Sequence, residues 1–199
     1  MAIERWDERY AGREYLWDVT PNRYVERHLS ELAPGRAIDL AAGEGRNAVW
    51  LASRGWQVTA VDFSSVGLAK AQRLAADHGV AERVEIVNAD VLTYAPPGPV
   101  DLVVIAYLQI PAAQRQLVLE HAADWLRPGG TLFVIAHDRS NVEHGYGGPS
   151  DPDHCYDVAG TRAALHDLDI TTAEVVERVV ETDDGPRTAL DTLVIATRR

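Results

Sequence analysis

The stretch Ala37-Ile-Asp-Leu-Ala-Ala-Gly-Glu-Gly-Arg46, followed by Val58-Thr-Ala-Val-Asp62, constrains this chain most. It reads as a strand, a glycine turn, a helix, a second strand and a terminal carboxylate. That is half of a nucleotide-binding α/β sheet. Gly43 and Gly45 allow a tight turn and close backbone approach to a ligand. Asp62 ends the second strand about 20 residues on, the spacing expected for a carboxylate on a ribose diol. Asp39 precedes the turn, where a carboxylate opposes a diphosphate and favours an ammonium group. The pair points to a cofactor with an adenosine and a cationic amino-acid end.

The rest of the chain repeats the alternation. Asn22 to Leu32 has helical spacing, and Pro34-Gly35 ends it. Strands are expected at 36–40, 57–61, 84–88, 100–106 and 131–136, and helices at 46–53, 65–78 and 114–125. Pro128-Gly129-Gly130 is expected to stop the last of these helices. Residues 137–152 read as a glycine-rich loop and 157–168 as a helix. Strands at 170–181 and 188–197 flank the turn Asp183-Asp184-Gly185-Pro186, which predicts an antiparallel hairpin. Strand–helix alternation requires a mainly parallel sheet with helices on both faces. The expected α/β fold is therefore three-layered and Rossmann-like, in a single domain over 1–199. Within it, 1–33 is a helical or lid segment, 36–136 the cofactor-binding core, and 137–199 an acceptor loop, helix and terminal hairpin.

Composition excludes some classes. Of 199 residues, 46% are hydrophobic and 25% charged, with a net charge of −11. That charge opposes a phosphate backbone as partner, so no nucleic acid is expected. No apolar run nears the roughly 20 residues that span a bilayer, so no membrane association is expected. The amino terminus lacks the basic start and apolar stretch of a secretory signal. The lone Cys155 fits a reducing compartment, and a cytoplasmic location is expected. The oligomeric state is left open.

Further residues fall at strand ends. Asp90 suits the amino group of an adenine, with Val91 and Phe63 covering the ring faces. Ala41, Arg46 and Ala106 complete the expected cofactor contacts. Each has a plainer reading: glycines and Asp39 as turn and capping residues, Asp62 and Ser64 as helix caps, and Arg46 as a solvated first-turn residue.

In this order the pieces resemble class I S-adenosylmethionine-dependent methyltransferases. The matching stretches are Asp39-Leu-Ala-Ala-Gly-Glu-Gly-Arg-Asn47, Val61-Asp62-Phe-Ser64, Ala89-Asp90-Val91, Asp101-Leu-Val-Val-Ile105 and Leu126-Arg-Pro-Gly-Gly-Thr-Leu132. Trp6-Asp-Glu-Arg-Tyr10, with Tyr15 and Pro21-Asn22, is similar to the tellurite-resistance and thiopurine methyltransferase branch. The resemblance implies a seven-stranded sheet with its last strand antiparallel, S-adenosyl-L-methionine as methyl donor and S-adenosyl-L-homocysteine as product. Ala41 departs from the first glycine of the turn in many members and is expected to hold a negative φ.

Methyl transfer needs a nucleophile held in line with the methyl carbon; a base is optional. His137, after the fifth strand, is the candidate base. Tyr107, after the fourth, lines the expected acceptor cavity. Each also fits as an ordinary strand-end residue. Trp6, Tyr10, Tyr15 and Trp17 fit a partial lid or a helix packed on the sheet edge. Gly147-Gly148-Pro149 is expected to shape the acceptor pocket. His144, His154, Cys155, Asp151 and Asp153 match no zinc spacing, and no metal is expected. The acceptor is expected to be a small molecule. A nicotinamide-dependent oxidoreductase and a non-catalytic S-adenosylmethionine-binding partner subunit are the rival readings.

Overall fold

A computed structural model describes residues 3–16 and 18–199. Trp17, one of the expected lid aromatics, lies outside the described residues. Seven strands form one sheet in the order β3-β2-β1-β4-β5-β7-β6. They are β1 (Arg36–Leu40), β2 (Gln57–Asp62), β3 (Val84–Asn88), β4 (Val100–Ala106), β5 (Leu126–His137), β6 (Leu168–Val180) and β7 (Arg187–Arg198). The helices are α1 (Ile3–Ala11), α2 (Arg23–Leu29), α3 (Arg46–Ser53), α4 (Ser65–Asp77), α5 (Ala112–Asp124), α6 (Asn141–His144) and α7 (Val158–Ala164). The sheet is mostly parallel with an antiparallel terminal hairpin, as expected. The chain forms two compact units, Met1–Val104 and Ile105–Arg199.

In the first unit, β1 pairs with β2 in parallel from Arg36↔Gln57 to Leu40↔Val61. β2 pairs with β3 in parallel from Val58↔Val84 to Asp62↔Asn88. Helix starts follow their caps. Asn22 Oδ1 accepts from the Tyr24 and Val25 amides at the head of α2. Ser64 Oγ accepts from the Gly67 amide at the head of α4. Helix α3 has Gly45 at its cap position and no side-chain cap of its own. Asp39 of β1 serves instead, its Oδ2 accepting from the Ala48 amide at 3.0 Å. Ile38, Leu40, Leu51, Ala60 and Val61 form the core and are solvent-free. Each large aliphatic side chain there contributes about 1.5–3 kcal/mol.

In the second unit, β5 pairs antiparallel with β7, and β7 with β6. Phe133, Ile135, Leu165 and Leu193 fill its core. Several boundaries shift by a few residues, and three differences have a visible cause or consequence. β5 begins at Leu126, because Pro128 is compatible with extended backbone, although pairing with β7 starts only at Thr131. α7 stops at Ala164, because Leu168 is drawn into register with Arg198. The expected loop after β5 contains the short α6.

Gly45 has a packing reason. Its φ is +79°, and a Cβ there would stand 2.5 Å from Ala71 Cβ of α4. The missing side chain lets α3 lie on α4. Gly45→Ala is expected to cost about 2–4 kcal/mol, from left-handed strain plus overpacking. The double variant Gly45→Ala/Ala71→Gly should recover part of the overpacking cost, once the loss of about 1 kcal/mol from glycine inside α4 is subtracted with Ala71→Gly as reference; denaturant titration of the three variants separates the causes.

Candidate active site

The glycine turn of the first unit is held by two carboxylates. Asp62, the last residue of β2, accepts from the Gly43 amide through Oδ2 and from the Ser64 amide through Oδ1, both at 2.8 Å. It is buried, and burial pushes its carboxyl above the usual range against those two bonds. Each oxygen retains a lone pair for a further donor. Asp39 is 1% exposed. Its Oδ2 is used by Ala48, while Oδ1 is buried without a partner. Burial is the main cause that raises its carboxyl to about 7, with the Asp62 charge adding to it and the Ala48 amide opposing. The sequence argument gave Asp39 a full negative charge; in the folded chain it is near half-neutral at pH 7.

Ala41 lies at φ +63°, which contradicts the expected negative value. The turn needs a left-handed residue there, a conformation that costs an L-residue about 1–2 kcal/mol. Arg46, on the first turn of α3, is half-buried and acts electrostatically on Asp39. Phe63 is half-buried. Its carbonyl accepts from Asn88 Nδ2 at 2.8 Å. Asp90 is exposed and closes an Asx-turn through the Leu92 amide, while Val91 is buried.

Over this turn lies α1, against α4. A Cβ on Gly43 would meet the Tyr10 hydroxyl at 2.6 Å. Tyr10 is buried, and burial raises its phenol further. Beyond α1 the chain is strapped down by a buried ion pair, Lys70–Glu44, at 2.8 Å. Lys70 also donates to the carbonyls of Tyr10 and Arg13, and both Glu44 oxygens accept from the Leu16 amide. Tyr15 lies 5.8 Å from Lys70 Nζ, and Trp6 is 5.6 Å from Tyr10. Neither Lys70 nor Glu44 was marked by any sequence pattern; a buried lysine in an Ala-rich helix is visible only after packing.

The second unit holds a separate polar cluster. Ala106, half-buried, ends β4. Tyr107 follows it at φ +58°, a genuine outlier for an aromatic residue. Its amide donates to the Ile135 carbonyl, and its hydroxyl donates to Asp191 Oδ2 at 2.8 Å. Arg178 Nε of β6 donates to the same oxygen at 2.8 Å. His137, the last residue of β5, places Nδ1 3.3 Å from Asp191 Oδ1. The pair is in ion-pair range without an aligned hydrogen bond. Asp191 is fully buried, which alone would raise its carboxyl; His137, Arg178 and Tyr107 together hold it below the usual range. The Tyr107 and His137 rings are 5.1 Å apart.

Gly148 sits on the imidazole. Its φ is +80°, and a Cβ would stand 2.8 Å from the ring carbons. Asn141 donates to the Gly147 carbonyl and accepts from the Leu190 amide, tying that turn to β7. Sequence reasoning singled out His137, Tyr107 and the turn as candidates, and Asp191 and Arg178 were not among them. A signal existed: Asp191 interrupts the apolar alternation of Ala189, Leu193 and Ile195, and acids are rarely fully buried without partners. Among the described residues no three His, Cys, Asp or Glu side chains are grouped to hold a metal. Among them, too, no helix is long and apolar enough to cross a membrane.

Asp39 gives a test of the burial. Between 3.8 and about 7 the folded chain binds a proton that the unfolded chain has released. Stability therefore falls as pH rises through that window, on the order of 4 kcal/mol. Asp62 adds in the same direction. Asp39→Asn, the same shape without the titration, is expected to flatten most of this slope in denaturant titrations across the window.

Comparison with known proteins finds likenesses of sequence and of fold. Residues 37–130 match the family described as "Methyltransferase domain". The chain is 30% identical over 119 residues to the tRNA 5-carboxymethoxyuridine methyltransferase of Escherichia coli, covering 57% of this chain and 45% of that protein. It is 28% identical over 138 residues to the ubiquinone biosynthesis O-methyltransferase of Burkholderia vietnamiensis, covering 68% and 59%. The chain thus spans about half the length of these curated relatives. Among solved structures, the TehB protein of Haemophilus influenzae superposes with a TM-score of 0.76 at 14% identity, over 90% of this chain and 63% of that one. The N-methyltransferase NodS of Bradyrhizobium japonicum, solved with S-adenosyl-L-homocysteine, superposes with a TM-score of 0.74 at 15% identity, over 98% and 97%. The match to the methyltransferase-domain family covers residues 37–130, and the likeness in fold to solved structures extends over 98% of this chain.

Proposed function

We propose that this chain transfers a methyl group from S-adenosyl-L-methionine to a small-molecule acceptor. The observation that carries the reading is Asp39 Oδ1, a buried carboxylate oxygen without a partner at the glycine turn. A buried unpaired acceptor costs about 1–3 kcal/mol, and a cationic amine relieves it. A dinucleotide diphosphate does not. Asp39, Ala41, Gly43, Gly45 and Arg46 are assigned to the methionine end, Asp62 to the ribose, and Phe63, Asp90 and Val91 to the adenine. Ala106 is assigned to the cofactor side of β4. The bound donor supplies a sulfonium methyl that is already electrophilic, so the protein's task is placement and proton handling.

On the acceptor side, His137 is assigned as base and Tyr107 as a wall of the pocket. The Tyr107 hydroxyl is committed to Asp191, which favours a positioning role over proton transfer. A net charge of −11 supports a small acceptor over a polyanion. One relative is named for a tRNA nucleoside, so a tRNA belongs among the acceptors assayed.

Calorimetry is expected to show S-adenosyl-L-homocysteine binding and no NAD binding; the opposite pattern sinks the reading. An ammonium beside Asp39 draws its carboxyl back down. Binding at pH 7 should therefore release roughly 0.5 proton, read from the dependence of binding heat on buffer ionisation heat. Asp39→Asn should abolish that release and weaken binding by about 1.5–3 kcal/mol.

A further inference from the structure

We infer that β6 is an interface between two copies of this chain, paired antiparallel about a two-fold axis at Val176. β6 ends the sheet, with β7 on one side only. It runs 13 residues, about twice the usual strand length of roughly 5–6. The outer edge of such a strand is a row of N–H and C=O groups that templates another strand. Edges that stay single are commonly blunted by lysine, proline or a bulge. Leu168–Val180 holds no lysine and no proline, and its one register shift falls near the start, between Ile170 and Thr172. From Thr172 to Val180 the register is regular, and Val176 is the midpoint of that run.

The side chains of the run select a second copy as the partner. With the axis at Val176, Glu174 stands opposite Arg178 of the second copy, and the symmetry makes this pair twice. An axis at Glu174, Glu177 or Arg178 would set like charges face to face. An axis at Val175 would lose both opposite-charge pairs. Glu174 is exposed. Arg178 donates through Nε to Asp191 at 2.8 Å, yet its side chain is 23% accessible. The remaining donors of its fork suit a second carboxylate.

The other face of β6 is apolar where it meets water. Val175 and Val179 are 46% and 55% exposed. In the paired arrangement Val179 faces Ala173 of the second copy. Val175 faces Glu177 and lies diagonal to Val175 and Val179 of that copy, so the exposed valines merge into one patch. A single strand pair is small beside the roughly 1,200–2,000 Å² of a stable interface, so the dimer is expected to depend on concentration.

Sedimentation velocity at about 5 μM and about 500 μM is expected to show monomer giving way to dimer. Glu174→Arg sets an arginine opposite Arg178 and should weaken the dimer by about tenfold or more, with an unchanged melting curve. Engineered cysteines read the register. In Val176→Cys the two thiols meet across the axis, at a Cα separation of about 4.5–5.5 Å that a disulfide accepts. Val179 is more exposed than Val176, but its two copies stand about 20 Å apart along the strands. Mild oxidation should therefore cross-link Val176→Cys and leave Val179→Cys without a cross-link. Should Val176→Cys fail to fold, the double variant Ala173→Cys/Val179→Cys replaces it, since those positions face each other across the pair. A chain that is monomeric at both concentrations, a Glu174→Arg dimer as tight as the original, or Val179→Cys cross-linking as fast as the facing thiols would overturn the inference.

Discussion

Asp39 reaches from β1 to the Ala48 amide, and Asp62 reaches from the end of β2 to the Gly43 amide. These two bonds hold the glycine turn from opposite ends. The first gives α3 a cap that its own sequence lacks. The second sets the turn against the neighbouring strand. Both carboxylates are buried, and burial disfavours their charged forms. The result is a turn shaped by groups that are costly to keep charged, with one oxygen of Asp39 left over. That leftover is the physical link between folding and ligand choice: the same burial that destabilises the free carboxylate rewards a cationic partner.

The glycines take on a different meaning in this setting. Gly45 lacks a side chain because Ala71 occupies the place where a Cβ would stand, and Gly43 faces the Tyr10 hydroxyl. Their nearest neighbours are protein atoms. α1 and the strap held by Lys70 and Glu44 therefore belong to the construction of the turn. Two non-glycine residues with left-handed backbone, Ala41 and Tyr107, stand where the two candidate sites are built. Strain of this kind persists where surrounding contacts over-determine it. At Tyr107 those contacts are visible as the bonds to Ile135 and Asp191.

In the second unit the constraint is a single carboxylate shared among three partners. Asp191 is acceptable in a strand core because Arg178 and Tyr107 occupy one oxygen. The other oxygen meets His137. A plainly structural network would end with every buried atom aligned to a partner; here His137 Nδ1 and Asp191 Oδ1 face each other imperfectly. That residual polarity, at the end of β5, is what gives the cluster chemical interest.

Local pattern was enough to read the sheet and its helices, because hydrophobic period, caps and turn residues act over a few neighbours. It also marked Asp39, Asp62, Tyr107 and His137, since strand ends carry ligands in folds of this class. It misjudged the start of β5 and the end of α7, where pairing with β7 outweighed local preference. It gave no warning of the positive φ at Ala41, which the turn imposes through Asp62 and Gly43. Asp191 and Arg178 were beyond its reach: they meet only when β6 and β7 pair, and register is a long-range property. The sequence by itself determined the fold and where a cofactor turn must fall. Only the tertiary structure decided which carboxylates are buried, and with them which groups are left wanting a partner, because desolvation depends on every element packed around a residue and not on its neighbours in the chain.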